Sequence, residues 1–209
     1  MTRAPLNGIR ILDFTALLPG AICTQFLADL GAEVIKIEPP VTGEPARGPQ
    51  GTPPGGIFHV TNRNKKSCAI DLKSPEGLAR VRVMLADVQV LVEGFRPGVM
   101  ARLGLGWDDV RGINPALIYC SITGYGQDGP LADKAGHDIN YQCYGGIVGQ
   151  NVIDSSRPSP GAVPVADLGG GALTSAVGIL AALYDAQRSG QGRHVDIAMA
   201  DAAMALNVT

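Results

Sequence analysis

Two acid–base candidates stand out in this chain of 209 residues. Asp167 precedes three consecutive glycines, Gly169 to Gly171. A carboxylate beside a run without side chains suits nucleophilic attack or proton transfer, because a substrate carbonyl approaching there meets backbone donors. The same aspartate ahead of a helix also reads as a cap that accepts backbone N–H bonds. His137 follows Gly136 at a predicted helix start, with Asp138 beside it and Tyr141 four residues on, on the same face. The positive end of a helix dipole favours neutral imidazole, the form that accepts a proton. A hydrogen-bonded, partly buried histidine is the structural alternative. His59 and His194 have no suggestive neighbours.

Four cations form a second set: Arg47, Lys65, Lys66 and Arg96. Arg96 directly follows a predicted strand, and in open parallel sheets ligands bind beyond the strand carboxyl ends. Isolated cations at such loops suit a polyanionic small molecule. Solvated surface charge is the other reading. Gly124–Gly129 fits G-x-G-x-x-G after a strand, but Pro130 follows and no amphipathic run begins there. A glycine-rich turn therefore fits better than a dinucleotide site.

The elements that must position these groups alternate. Ile9–Asp13 and Glu33–Ile37 read as strands around a helix that Pro19 opens and Gly31 stops. A Pro/Gly-rich loop spans residues 39–62. Further strands are expected at Cys68–Leu72, Val88–Val92, Leu117–Ile122 and His194–Met199. Helices are expected over 74–87, 97–103, 108–113, from Gly136, and from the glycine run to Arg188. A polar, Pro-rich loop covers 150–164. Residues 200–208 form an apolar helical stretch that has to pack on this chain or on a further segment. Strand–helix alternation of this kind means an α/β fold with a mostly parallel sheet.

Composition narrows the function classes. Lys and Arg total 17 against 19 Asp and Glu, a net charge of −2, which offers no field to attract nucleic acid. Hydrophobic residues make up 45%, enough for a core, so wholesale disorder is excluded. Cys23, Cys68, Cys120 and Cys143 lie far apart with no C-x-x-C pair, so no zinc or other metal site is expected. Free thiols fit a cytoplasmic protein. No uninterrupted apolar run reaches the roughly 18 residues of a membrane span, so no membrane partner is expected.

Together these segments resemble the family III CoA-transferases, the CaiB/BaiF group. The resemblance is carried by Leu6–Asp13, Gly31–Pro40, Arg63–Ser67, Phe95–Gly98, Gly124–Pro130 and Arg188–Asp201. It implies a Rossmann-like large domain over residues 1–209, a CoA thioester as substrate with no further cofactor, and an interlocked homodimer. Family members are longer, so the resemblance also implies that a C-terminal half is missing here. Arg47, Lys65, Lys66 and Arg96 become CoA-phosphate candidates. Two chemistries then compete. The leading expectation is a 2-methylacyl-CoA racemase, with His137 and Asp167 as the two bases and Asp138 and Tyr141 orienting them; Ala135–Tyr141 resembles the racemase motif. The alternative is a CoA-transferase with Asp167 as nucleophile, which Lys36–Pro40 and Gly43–Arg47 resemble more. A non-catalytic CoA-binding fragment is the third reading.

Overall fold

The computed structural model describes residues 3–154 and 157–208. In chain order the elements are β1 (Arg10–Asp13), α1 (Leu18–Asp29), β2 (Glu33–Glu38), a 3₁₀ turn (Pro45–Arg47), α2 (Gly56–Asn62), β3 (Lys65–Ala69) and α3 (Pro75–Leu85). Then follow β4 (Val90–Glu93), α4 (Val99–Arg102), α5 (Trp107–Val110), β5 (Ile118–Thr123), α6 (Asp138–Tyr144) and α7 (Ile147–Gln150). The last are β6 (Val152–Asp154), β7 (Arg157–Pro158), a π-helix (Ala166–Leu173), α8 (Thr174–Ser189), β8 (Arg193–Ala198) and α9 (Met199–Leu206).

Six strands form one sheet in the order β3-β2-β1-β4-β5-β8, every pair parallel. β6 and β7 pair separately and antiparallel. β4 and β5 are buried along their whole length, as near-continuous apolar runs in a doubly covered sheet must be. Helices cover both faces. One core gathers Leu27 of α1, Ile179 and Leu183 of α8, and Ala203 of α9 against Ile11, Val92 and Ile118. The other gathers Val81 and Leu85 of α3, Met100 and Val110 against Leu12, Leu91 and Tyr119. The mostly parallel α/β fold expected from the alternation is found.

Three elements differ from expectation. The edge strand β3 is Lys65–Ala69 rather than Cys68–Leu72. Its register is set by β2, from Val34 opposite Lys65 to Glu38 opposite Ala69. The more apolar Ile70 and Leu72 lie past the ladder, in and against the second core. The 39–62 loop ends in α2, whose weak helical sequence packs on α1. The 150–164 loop holds the short β6–β7 ladder. The terminal helix α9 docks on the π-helix and α6, burying Met199, Ala200 and Ala203. The π-helix and α8 run on as one apolar stretch, Ala166–Ser189, about half of it buried within the fold.

Candidate active site

The strand order reverses between β1 and β4, each the start of one half of the sheet, and the chains leaving their carboxyl ends diverge there. The resulting crevice is a cleft of about 280 Å³. Thr15 to Leu17 come from the end of β1, Phe95 and Arg96 from the end of β4, and Gly124 from the end of β5. Gly136, His137, Tyr141 and Asp167 close the far side. The structure thus brings together His137, Tyr141, Asp167 and Arg96, which lie on separate segments of the chain. A smaller cavity of about 270 Å³ also touches His137 and Asp167, from the side of α2. A third, of about 450 Å³, adjoins the first through Thr15, Ala16 and Phe95, and is walled by Ile37, Pro45, Ile70, Leu72 and Val99.

Asp167 is not a cap. The π-helix begins one residue earlier, and no side chain of its own N-cap residue caps it. The capping comes from another element: Asp138 Oδ1 accepts the Asp167 backbone N–H at 2.9 Å. Asp138 also accepts a hydrogen bond from Gln142 one turn along α6. Among the described residues nothing hydrogen-bonds the Asp167 carboxylate itself. Burial, with Asp138 adding to it and His137 opposing, pushes this carboxyl up to about 6. A π turn widens the helix and is frequent at functional sites.

The glycines after Asp167 do not face the cleft. A Cβ on Gly170 would sit 2.9 Å from the Met199 carbonyl oxygen, one on Gly171 2.7 Å from Pro19, and one on Gly169 2.8 Å from Leu206. They allow the π-helix to press against α9 and α1, so the expected run of donors for a substrate carbonyl is instead a packing device. The G-x-G-x-x-G turn is likewise followed by no helix. A Cβ on Gly124 would strike the Tyr141 ring at 2.5 Å, as would one on Gly136 at 2.6 Å. Tyr141 is wedged between them and is buried. His137 starts α6, its backbone N–H donating to Asn140 Oδ1 at 2.9 Å, and its ring is exposed toward both cavities.

The cations separate. Arg96 is exposed on the cleft and, among the described residues, has no ion-pair partner. Arg47 closes a fork on Glu38, Nε and Nη2 both at 2.6 Å, with its guanidinium 4.0 Å above the Phe58 ring. Lys66 points out from the edge strand and pairs with Glu33. Lys65 points in: its three donors go to Asp13 at 3.1 Å, the Ala21 carbonyl at 2.8 Å and Asn62 at 3.1 Å. With its side chain 2% exposed it has no donor left for a phosphate. Period-two alternation on β3 explains why neighbours diverge so sharply.

Sequence reasoning missed four residues here. Lys134, from the loop before Gly136, is a second cation lining the cleft. Asp13, Lys36 and Glu44 form a buried charge network beneath it. Lys36 Nζ lies 2.9 Å from Glu44, 3.6 Å from Asp13 and 2.8 Å from the Thr15 carbonyl. Two lysines and two threonine hydroxyls overcome the burial of Asp13 and hold it down at about 2. Glu44 Oε1 in turn accepts the N–H of Leu17, whose φ of 63° is a backbone conformation that few residues other than glycine adopt. The network fixes the strained β1–α1 turn that forms one wall of the cleft. Charged residues inside β1 and β2 were the available signal.

The profile of CoA-transferase family III matches residues 6–209. The chain belongs to this family. It is 41% identical over 209 residues to a succinate–glutarate CoA-transferase of Agrobacterium fabrum, covering 95% of this chain and 52% of that protein. It is 41% identical over 205 residues to a succinyl-CoA–D-citramalate CoA-transferase of Chloroflexus aurantiacus, covering 97% and 51%. A crystal structure of a CaiB/BaiF family protein from Brucella suis superposes with a TM-score of 0.93 at 36% identity, covering 99% of this chain and 56% of that one. The chain spans about half the length of the curated relatives it matches. The family and the sheet architecture expected from the sequence are therefore both found. Of the two expected chemistries, the relatives' names favour the family III CoA-transferase over the racemase.

Proposed function

We propose that this chain carries the CoA-binding and nucleophile-bearing part of a CoA-transferase that moves CoA between carboxylic acids through Asp167. The observation that carries the reading is a half-buried carboxylate with no hydrogen-bond partner among the described residues, set at the junction of two cavities. Desolvation raises the nucleophilicity of such a carboxylate once it ionises.

CoA reaches Asp167 along the larger cleft. The adjoining 450 Å³ cavity, with apolar walls, suits a flat heterocycle such as adenine, and Arg96 and Lys134 suit the phosphates. Attack of the Asp167 carboxylate on the acyl-CoA carbonyl breaks the C–S bond, giving an aspartyl–acyl anhydride and CoA thiolate. The thiolate then attacks the aspartyl carbonyl, giving an aspartyl-CoA thioester and releasing the first acid as its carboxylate. The incoming carboxylate attacks that thioester and, by the reverse sequence, leaves with CoA. No proton is gained or lost overall. His137, beside Asp167, is placed to steady the anionic carbonyl oxygens.

The test is to mix the complete natural polypeptide with an acyl-CoA, trap with hydroxylamine, and map the modification by mass spectrometry. A hydroxamate adduct at Asp167, formed as hydroxylamine displaces CoA or the acid from the aspartyl carbonyl, supports the reading. Uptake of deuterium at the α-carbon without an acceptor acid, and with no adduct, supports the racemase instead. Assembly as a homodimer is a further proposal, supported by exposed Leu173, Val177 and Tyr184 spaced along one side of α8 and its π extension. Sedimentation tests it.

A further inference from the structure

The cavity on the α2 side of Asp167 is separate from the cleft that holds Arg96, yet both reach the same carboxylate. If CoA takes the cleft, the other cavity is left for the acid. Its walls are Leu17, Leu18, Ala46 and Ile57. Besides Asp167 and His137 at its inner end, Thr61 is its one polar neighbour, and that hydroxyl is spent: it donates to the Ile57 carbonyl at 2.9 Å and accepts from Asn62 at 3.0 Å. Arg47, next to Ala46, is turned into its fork with Glu38. Lys65 is fully engaged beneath the site. No lysine or arginine lines this cavity among the described residues.

We infer that the acyl subsite takes a short, uncharged aliphatic chain, so that the acids exchanged are monocarboxylic. The inference rests on the transferase reading. A volume of about 270 Å³ lies at the small end for ligand sites, which run from roughly 300 Å³ upward. With the reacting carboxylate at Asp167 and His137, a second carboxylate would lie among leucine and isoleucine side chains, where it would lose hydration and gain no cationic partner. The two relatives compared above carry names with dicarboxylates, so a monocarboxylate preference would set this chain apart from them.

Butyrate and succinate share a four-carbon backbone and differ by one carboxylate, which makes them the probes. In acceptor assays with the complete polypeptide, kcat/KM for butyrate should exceed that for succinate by about 100-fold. Ile57 is 54% exposed at the cavity wall, so Ile57→Lys is tolerated by the fold and should narrow that ratio by about tenfold by supplying the absent cation. The ratio cancels any general loss of activity. Succinate used as well as butyrate, with the Asp167 adduct still trapped, overturns the inference and leaves the transferase intact. No adduct from any acyl-CoA overturns both.

Discussion

The Asp138 carboxylate holds the Asp167 backbone: Oδ1 of one accepts the N–H of the other at 2.9 Å, tying the start of α6 to the start of the π-helix. One contact therefore does two things. It fixes where Asp167 sits, and it places a second negative charge beside the nucleophile.

Replacing Asp138 separates these effects. Asp138→Asn keeps an acceptor oxygen but removes the charge that helps lift Asp167. The acid limb of the rate profile, expected near pH 6, should move to lower pH with a modest loss of maximal rate. Asp138→Ala also leaves the Asp167 N–H without its partner, and should cost a further 10-fold to 100-fold in kcat, equivalent to about 1.4–3 kcal/mol. A pH–rate profile unchanged in Asp138→Asn would show that Asp167 is not the titrating group.

Asp167→Asn should abolish transfer, by at least about 1,000-fold, whereas His137→Ala should be milder. Its stability should move the other way. The fold favours protonated Asp167, with its carboxyl at about 6 against an ordinary 3.8. Below pH 3.8 there is no cost; the cost grows to pH 6 and is level above it. Asparagine carries no such cost. The variant should be more stable than the parent at pH 8 by about 1 kcal/mol once solvent screening of this half-buried group is allowed for, and equal to it at pH 4. Denaturant midpoints at the two pH values measure this.

Most of the sheet was legible because β4 and β5 are apolar runs, and because proline and glycine bracket α1. β3 was not, since an edge strand needs no continuous apolar stretch and its position is dictated by pairing to β2. In the site, His137, Asp167 and Arg96 were nameable as residues of the right chemistry at element ends, and Tyr141 by its helical spacing from His137. The fates of Lys65 and Lys66 were not, because a one-residue step on a strand decides between a buried ion pair and solvent. Nor was the glycine run: its contacts are with Pro19, Met199 and Leu206, distant in sequence.

The cations should answer mutation in three different ways. Arg96→Ala and Lys134→Ala should each weaken CoA binding, Arg96 by about 1.5–3 kcal/mol for a charge-assisted phosphate bond. Lys66→Ala should leave CoA affinity unchanged. Lys65→Met should lower stability by about 3–5 kcal/mol, because it strips a partner from fully buried Asp13. Calorimetric titration with CoA and urea unfolding of the same variants separate the classes. Weakened CoA binding by Lys66→Ala at unchanged stability would restore that lysine to the phosphate site.

Glu93 gives the last expectation, which joins pH to the shape of the cleft. It ends β4, is 3% exposed, and accepts the Phe95 N–H at 2.9 Å, so it shapes the turn that presents Arg96. Its other hydrogen-bond partner is Ser121, whose hydroxyl also lies 3.0 Å from His194 Nε2, and the Asp196 carboxylate adds to the effect of burial. Burial raises the Glu93 carboxyl to about 7, beyond what these hydrogen bonds recover. Below pH 4.5 the group is protonated in both folded and unfolded chains. Between pH 4.5 and 7 the unfolded chain ionises while the folded one keeps its proton, so stability falls as pH rises; above 7 the loss is complete. That loss is on the order of 2–3 kcal/mol. Glu93→Gln retains the acceptor for Phe95 and has nothing to ionise. It should match the parent near pH 4, exceed it at pH 8, and bind CoA normally. Glu93→Ala removes the acceptor, so the Arg96 turn relaxes and CoA binding weakens severalfold. Asp167 titrates in an overlapping range, so the Glu93→Gln, Asp167→Asn pair should be flatter with pH than either single variant. Equal slopes for the parent and Glu93→Gln would mean that the buried carboxyl is ionised throughout, and that the Arg96 turn is held by a charged group instead.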